Sequence, residues 1–355
     1  MKKIILIMLI GLIAIFSGCS GCGKRNPVAP PDATNIIENT ATETQTQTNT
    51  ATQTSTHTPT NTLTPNITYA GQWGSYGSLN GQFNVPSYIE IDDTNSEIYV
   101  ADALNHRIQV FDLSTNYKRS IGSPGTGDGQ FSQPYQFAGD FANNRIYVVD
   151  GDNDRIQIMA TDGTFIDKWG ANGTGNGNFD MPSGIDIDTT NGKVYVADTG
   201  NHRVQIFDLN GSYISYFGYQ GTGDGQFQSP MDVEIDKTNS RVYVSDGVLH
   251  NVQVFDLLGN FISKFGENGT GYGTFDRPNG IEIDNVNNRV YIADTFNSYC
   301  QMFDLSGNFI TQWGSAGSGN GQFDDPNKVA WHNVSSKLYV VDSYNSRIQV
   351  FTLNP

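Results

Sequence analysis

Cysteine is nearly absent from this chain of 355 residues: Cys19, Cys22 and Cys300 are the only three. Cys300 is alone in the last three quarters of the sequence, so no disulfide framework can staple that part together. Positive charge is also scarce, with 20 Lys and Arg against 36 Asp and Glu, a formal net charge of −16. A surface that grips nucleic-acid phosphates needs the opposite balance, so nucleic acid is excluded as an expected partner. No apolar run is long enough to span a bilayer comfortably; the longest, Ile4 to Phe16, suits a targeting segment instead. No G-x-S-x-G elbow occurs, and the Gly-rich loops GTGDGQ and GTGNGN lead into a proline and a strand, not a helix N-terminus, so neither acyl-transfer nor phosphate-cradle chemistry has its context.

What the chain does contain is repetition. An aspartate recurs at Asp102, Asp150, Asp198, Asp246, Asp294 and Asp342, every 48 residues. Phe83, Phe131, Phe179, Phe227, Phe275 and Phe323 keep the same period, and so do Pro86, Pro134, Pro182, Pro230, Pro278 and Pro326. A fixed period of this size marks a repeat architecture. Within one unit four short runs rich in Val, Ile, Phe and Tyr are separated by Asn, Asp and Gly, and Ile185-Asp186-Ile187-Asp188 alternates apolar with polar. That is the pattern of strands, not helices. One unit therefore predicts a four-stranded antiparallel meander, strands a to d from the inside outward. A lone sheet of this kind cannot cover both faces; packed radially, the sheets bury one another, which predicts an all-β, six-bladed β-propeller. The phase predicts the closure. A d-type strand ending at Trp73-Gly74 precedes any a strand, and the chain stops after the sixth c strand, so the N-terminal strand should complete the last blade.

Asn105-His106-Arg107 and Asn201-His202-Arg203, each preceded by VAD and followed by an apolar-Gln-apolar-Phe strand, resemble the NHL repeat over about residues 68–355, as does the pattern from Pro182 to Asp188 and from Pro278 to Asp284. The resemblance implies the same propeller. It leaves function open, because such propellers serve as binding, sensor and enzyme domains.

Three segments follow. Residues 1–23 read as a lipoprotein signal peptide: Lys2 and Lys3, the apolar run, then Phe16-Ser17-Gly18-Cys19, a lipobox-like motif that makes Cys19 the lipidation site. Residues 24–66 read as a disordered linker, since every second residue from Thr40 to Thr64 is Thr and nothing between could be buried. Residues 67–355 form the propeller. The expected location is the bacterial cell envelope, with a monomeric propeller outside the cytoplasm, touching the membrane only through its lipid anchor.

An internal repeat separates structure from function. Whatever recurs in all units serves the unit; a ligand site should appear as departures. By this test the recurring Asp, Gln and Phe are structural, and Arg107, Arg155, Arg203 and Arg347 are expected to pair with the Asp five residues before them. His106, His202 and His250 occupy equivalent turns around a ring, too far apart to share a zinc ion. Cys300 sits at a core position. The clearest departures lie on strand a. At a position the resemblance implies should be small stand Glu90, Asp186, Glu234 and Glu282, expected to face one channel, as acids solvated or paired with Lys328 or as ligands for Ca²⁺ or Mg²⁺. The layer above holds Tyr88, Gln136, Asp232 and Lys328, flanked by Tyr135, Met231, Asn279 and Asn327. These are expected to open on the face carrying the d–a and b–c loops, with Tyr76, Tyr219, Tyr272, Phe296, Tyr299 and Tyr344 beside them. The first functional expectation is a non-enzymatic propeller capturing a protein, peptide or glycan there. The alternatives are a metal-dependent lyase or lactone hydrolase using the axial acids, by analogy with propeller enzymes, and a structural part of a surface assembly.

Overall fold

A computed structural model describes residues 65–354. Cys19, the lipobox and nearly all of the linker lie outside them. The described chain forms six four-stranded antiparallel sheets, with no α-helix among the described residues. Blade three shows the unit: strand a Pro182–Asp188, b Lys193–Asp198, c Arg203–Asp208 and d Tyr213–Phe217. Blade six is closed by the N-terminal strand Asn66–Trp73, which pairs antiparallel with Arg347–Asn354 from Asn66↔Asn354 to Trp73↔Ile348. This pairing supplies the missing d strand and leaves no blade with an unpaired c strand.

Burial follows the radial order. Strand d of blade three alternates between exposed and half-buried until it ends on the buried Phe217, whereas its strand c is buried on both faces along most of its length. The apolar clusters straddle the seams: Tyr147, Val149 and Ile158 of blade two pack on Ile185, Val194 and Phe207 of blade three. The interior is thus six seams between blades, not one central core.

Two recurring pairs explain why the period is so strict. Gly74, Gly122, Gly170, Gly218, Gly266 and Gly314 end the d strands with φ between +85° and +98°, and a Cβ on any of them would lie 2.2–2.5 Å from the ring of Phe83, Phe131, Phe179, Phe227, Phe275 or Phe323. The glycine gives the turn its left-handed backbone and the ring its room. The hydroxyls of Tyr147, Tyr195 and Tyr243 donate to the carbonyls of Leu209, Leu257 and Leu305 in the following blades, at 2.9–3.0 Å. Blades one and five depart: Tyr291 donates to Asp284 of its own blade at 3.4 Å, and Tyr99 donates to Glu97, while Arg119 binds Glu97 and also donates to the Thr161 carbonyl of blade two at 2.9 Å. Hydrogen bonds from Arg119 hold the Glu97 carboxyl down at about 2.

Candidate functional site

The polar residues of the repeat are consumed by the fold. Asp198 receives Nε of Arg203 at 2.8 Å, Nδ2 of Asn201 at 3.0 Å, Nε2 of Gln205 at 2.9 Å and the backbone N–H of Asp180 at 2.9 Å. The predicted Asp–Arg pairs form at Asp102–Arg107, Asp150–Arg155, Asp198–Arg203 and Asp342–Arg347, at 2.6–2.8 Å. In blade five Tyr299 replaces the arginine and its hydroxyl donates to the Thr270 carbonyl at 3.0 Å, as Arg155 does to Thr126 in blade two. Asp294, buried and without that arginine, rises to about 6. The recurring histidines latch neighbouring blades. Nδ1 of His106 accepts the N–H of Gln133 at 3.2 Å and Nδ1 of His250 that of Arg277 at 3.1 Å, while His202 meets the Gln228 carbonyl at 2.7 Å. Cys300 is fully buried.

The axis holds a buried charge cluster. Lys328 is 1% exposed and its Nζ lies 3.2 Å from Glu234, 3.6 Å from Asp232 and 3.8 Å from Glu282, donates to the Ile281 carbonyl, and sits 4.8 Å from the centre of the Tyr88 ring. Burial opposes its charge, but Glu234, Asp232 and Glu282, with Tyr88, outweigh that and raise its pKa. Asp232 accepts Nε2 of Gln136 at 2.7 Å and the N–H of Ile281 at 2.7 Å. The structure therefore brings Tyr88, Gln136, Asp232 and Lys328 together, but as a buried plug whose groups satisfy each other. The expectation that this layer opens on the loop face is corrected: all four side chains are buried, and the lysine ammonium reaches into the acid layer.

The four acids below are likewise arranged otherwise than as a cation cage. Three of them reach sideways to the innermost strand of the next blade, 49 residues on: Glu90 accepts the N–H of Gly139 at 3.1 Å, Asp186 that of Ile235 at 2.8 Å, and Glu282 that of Trp331 at 3.2 Å, while Glu234 accepts Nζ of Lys328. Innermost strands of adjacent blades do not pair with each other, so these N–H groups need side-chain acceptors. Among the described residues no three His, Cys, Asp or Glu groups are gathered to hold a metal ion. The arrangement of Glu90, Asp186, Glu234 and Glu282 thus suits a Ca²⁺ or Mg²⁺ ion poorly, with the Lys328 ammonium already beside Glu234 and Glu282. Burial, then the charge of Asp186, pushes Glu90 up to about 8, and its Oε2 is buried without a partner. Burial pushes Glu282 up to about 7 and raises Glu234, against the pull of Lys328.

The flanking residues remain accessible on the loop face. Tyr135, Met231, Asn279 and Asn327 are all half-buried. Tyr135 donates to Asp152 of its own blade at 3.2 Å, and Asn279 Nδ2 donates to Asn327 Oδ1 across the seam of blades five and six at 2.7 Å. Of the expected aromatics, Phe296 and Tyr344 are 46% and 49% exposed in the b–c turns of blades five and six. Tyr299 is buried, and Tyr272 stacks on Phe309 of the outer strand.

One contributor was not anticipated. Arg277 precedes Pro278, and its guanidinium lies over the Phe296 ring, 5.0 Å from the centroid. Val85, Gln133, Met181 and Asp325 share its turn position and its left-handed backbone, with φ of 50–53° against 58° for Arg277. The same backbone thus presents a different side chain in each of these blades. The signal was in the sequence, in a loop column outside strand a.

The NHL repeat family profile matches residues 179–207, and a profile described as a 6-bladed beta-propeller matches residues 82–156 and 234–312. No curated protein matches the chain by sequence. Similar solved structures include a protein of unknown function from Bacteroides thetaiotaomicron, 16% identical with a TM-score of 0.62 over 82% of this chain and 76% of that one. An auxiliary nutrient binding protein from the same bacterium is 13% identical, with a TM-score of 0.62 over 82% of this chain and 77% of its own. Hydrazine synthase of Kuenenia stuttgartiensis is 12% identical, with a TM-score of 0.55 over 77% and 97%. At such identities the likeness concerns the fold alone. The sequence periodicity, the blade topology and the two profile matches agree: the chain is a six-bladed β-propeller that carries an NHL repeat over residues 179–207.

Proposed function

We propose that this propeller is a non-enzymatic binding module that captures its ligand on the loop face, over the seams of blades four to six. The observation that carries this reading is the clustering of departures from the repeat on one rim. Met231, Arg277, Asn279, Phe296, Asn327 and Tyr344 each differ from the residues at their equivalent positions in most other blades, and all are at least partly accessible. Residues that the fold needs recur; these do not, and the fold leaves them free to differ. The axial acids and Lys328, by contrast, are spent on each other and on the neighbouring backbone. The lipobox-like motif at Cys19 and the Thr-rich segment after it support an envelope-anchored receptor. The ligand classes are protein, peptide and glycan.

The test is affinity capture from the native envelope, including its soluble oligosaccharides, with residues 65–355 as bait. A loop-face variant, Met231→Ala with Phe296→Ala and Asn327→Ala, should lose the captured ligand by at least about tenfold. An opposite-face variant, Val286→Ser with Val334→Ser, should retain it; these two side chains are 66% and 81% exposed in a–b turns. The reverse result moves the binding surface to the other face.

A further inference from the structure

The geometry points to a ligand class for this rim: we infer that Arg277 receives the carboxylate of an acidic sugar whose ring lies against Phe296 and Tyr344. The inference rests on the loop-face reading above and makes it chemically specific. Five of the described arginines, at 107, 119, 155, 203 and 347, ion-pair with a carboxylate within 4.0 Å. Arg145, Arg241 and Arg289 act on Tyr147, Tyr243 and Tyr291 of their own strands, opposing the rise that burial gives those hydroxyls. Arg277 does neither among the described residues: its backbone N–H donates to His250, and its guanidinium lies over the Phe296 ring. Asp325, Tyr344 and Asp276 act on it through space, without an ion pair to either aspartate.

The surroundings hold that guanidinium in place. The side chain runs across Gly247, where a Cβ would come within 3.2 Å of both Arg277 Cγ and Met231 Cγ. The equivalent positions in four other blades are Ala103, Thr199, Thr295 and Ser343, so the bare backbone here opens a track for the arginine. The group is half-buried, and removal from water disfavours its charge. A planar cation, partly dehydrated, oriented on an aromatic ring and lacking a carboxylate of its own, is matched by a carboxylate brought by a ligand, which it can bind with two parallel N–H···O bonds.

The neighbours favour a sugar over a peptide. Phe296 and Tyr344 are half-exposed rings in adjacent b–c turns, suited to the apolar face of a pyranose. Asn279 and Asn327 bond each other at 2.7 Å and keep Oδ1 of Asn279 and Nδ2 of Asn327 for ligand hydroxyls. The formal charge of −16 sets a limit on the ligand: a polyanion is repelled at long range, so the unit recognised carries one carboxylate.

Three probes test this by calorimetry or ligand-observed NMR on the full propeller: methyl β-D-glucuronoside, methyl β-D-glucoside, which lacks only the carboxylate, and N-acetyl-glutamate amide, which has the carboxylate without the ring. The glucuronoside should bind at least about tenfold tighter than either of the others. Arg277→Gln should abolish that preference. Blade two already carries Gln133 at this position with φ 53°, so the variant keeps its backbone, and an unchanged melting temperature verifies it. Arg277→Lys should recover only part of the preference, because the planar fork is lost. Equal binding of glucuronoside and glucoside overturns the carboxylate assignment, and if the triple loop-face variant still loses both, the binding face itself stands. Binding of the glutamate probe as tight as the glucuronoside overturns the sugar assignment in favour of an acidic peptide. No detectable glucuronoside binding, or binding indifferent to Arg277→Gln, overturns the inference outright.

Discussion

Lys328 shows how much rests on one buried side chain. Its ammonium offsets Asp232, Glu234 and Glu282, so Lys328→Met leaves acids without their counter-charge inside the ring. Breaking such a cluster typically costs about 3–5 kcal/mol, and urea unfolding should show a loss of that size. The acids themselves make stability depend on pH. Glu90 titrates at about 8 in the folded chain against an ordinary carboxylate value of 4.5. Between those limits the folded state holds a proton that the unfolded state has released, so stability falls as pH rises from about 4.5 to about 8. Glu282, at about 7, acts in the same sense. Glu90→Gln should flatten part of this decline in a series of thermal melts across that range; an unchanged slope would mean that Glu90 is ionised and solvated. Only part of this was legible in the sequence. The column Glu90, Asp186, Glu234 and Glu282 showed which residues face the axis and offered Lys328 as their partner, but not that carboxylates turn to the next blade's N–H groups. Periodicity fixes the direction of a Cα–Cβ bond, not the reach of a long side chain.

At the scale of the blade, the phenylalanine of the d–a loop is the joint. Phe179 is fully buried, packs on Phe207, and occupies the space that Gly170 leaves open. Phe179→Ala should cost about 3–5 kcal/mol through cavity formation, and Gly170→Ala should be comparably damaging, since its Cβ would meet the ring at 2.5 Å on a backbone with φ +95°. Denaturant midpoints for the two variants check both. These residues were readable because each performs the same task six times: the Phe and Gly columns keep step, and the structure supplies the contact that makes them do so. Arg277 was missed for the complementary reason. It stands in a loop column where no residue type recurs, so no departure from a pattern marks it out.

On the scale of the whole ring, closure depends on the strand Asn66–Trp73. It contributes the d strand of blade six, and Ile67 and Tyr69 pack on the cluster that contains Phe351 and Leu353. A chain beginning at residue 75 should lose cooperative unfolding and expose apolar surface to a dye, whereas one beginning at residue 65 should melt as the full chain does. The sequence told this much in advance, because the phase of the repeat left one d strand at the start and none at the end. What a sixfold pattern could not tell is where the wheel meets its ligand, since that depends on which departures stay open to solvent and which are buried among themselves. The most direct measurement is hydrogen–deuterium exchange of the propeller with and without its captured ligand. Protection confined to the d–a loops and b–c turns of blades four to six, around Met231, Arg277, Phe296, Asn327 and Tyr344, is the predicted result. Protection on the a–b and c–d turns of the opposite face, with this rim unchanged, would contradict it.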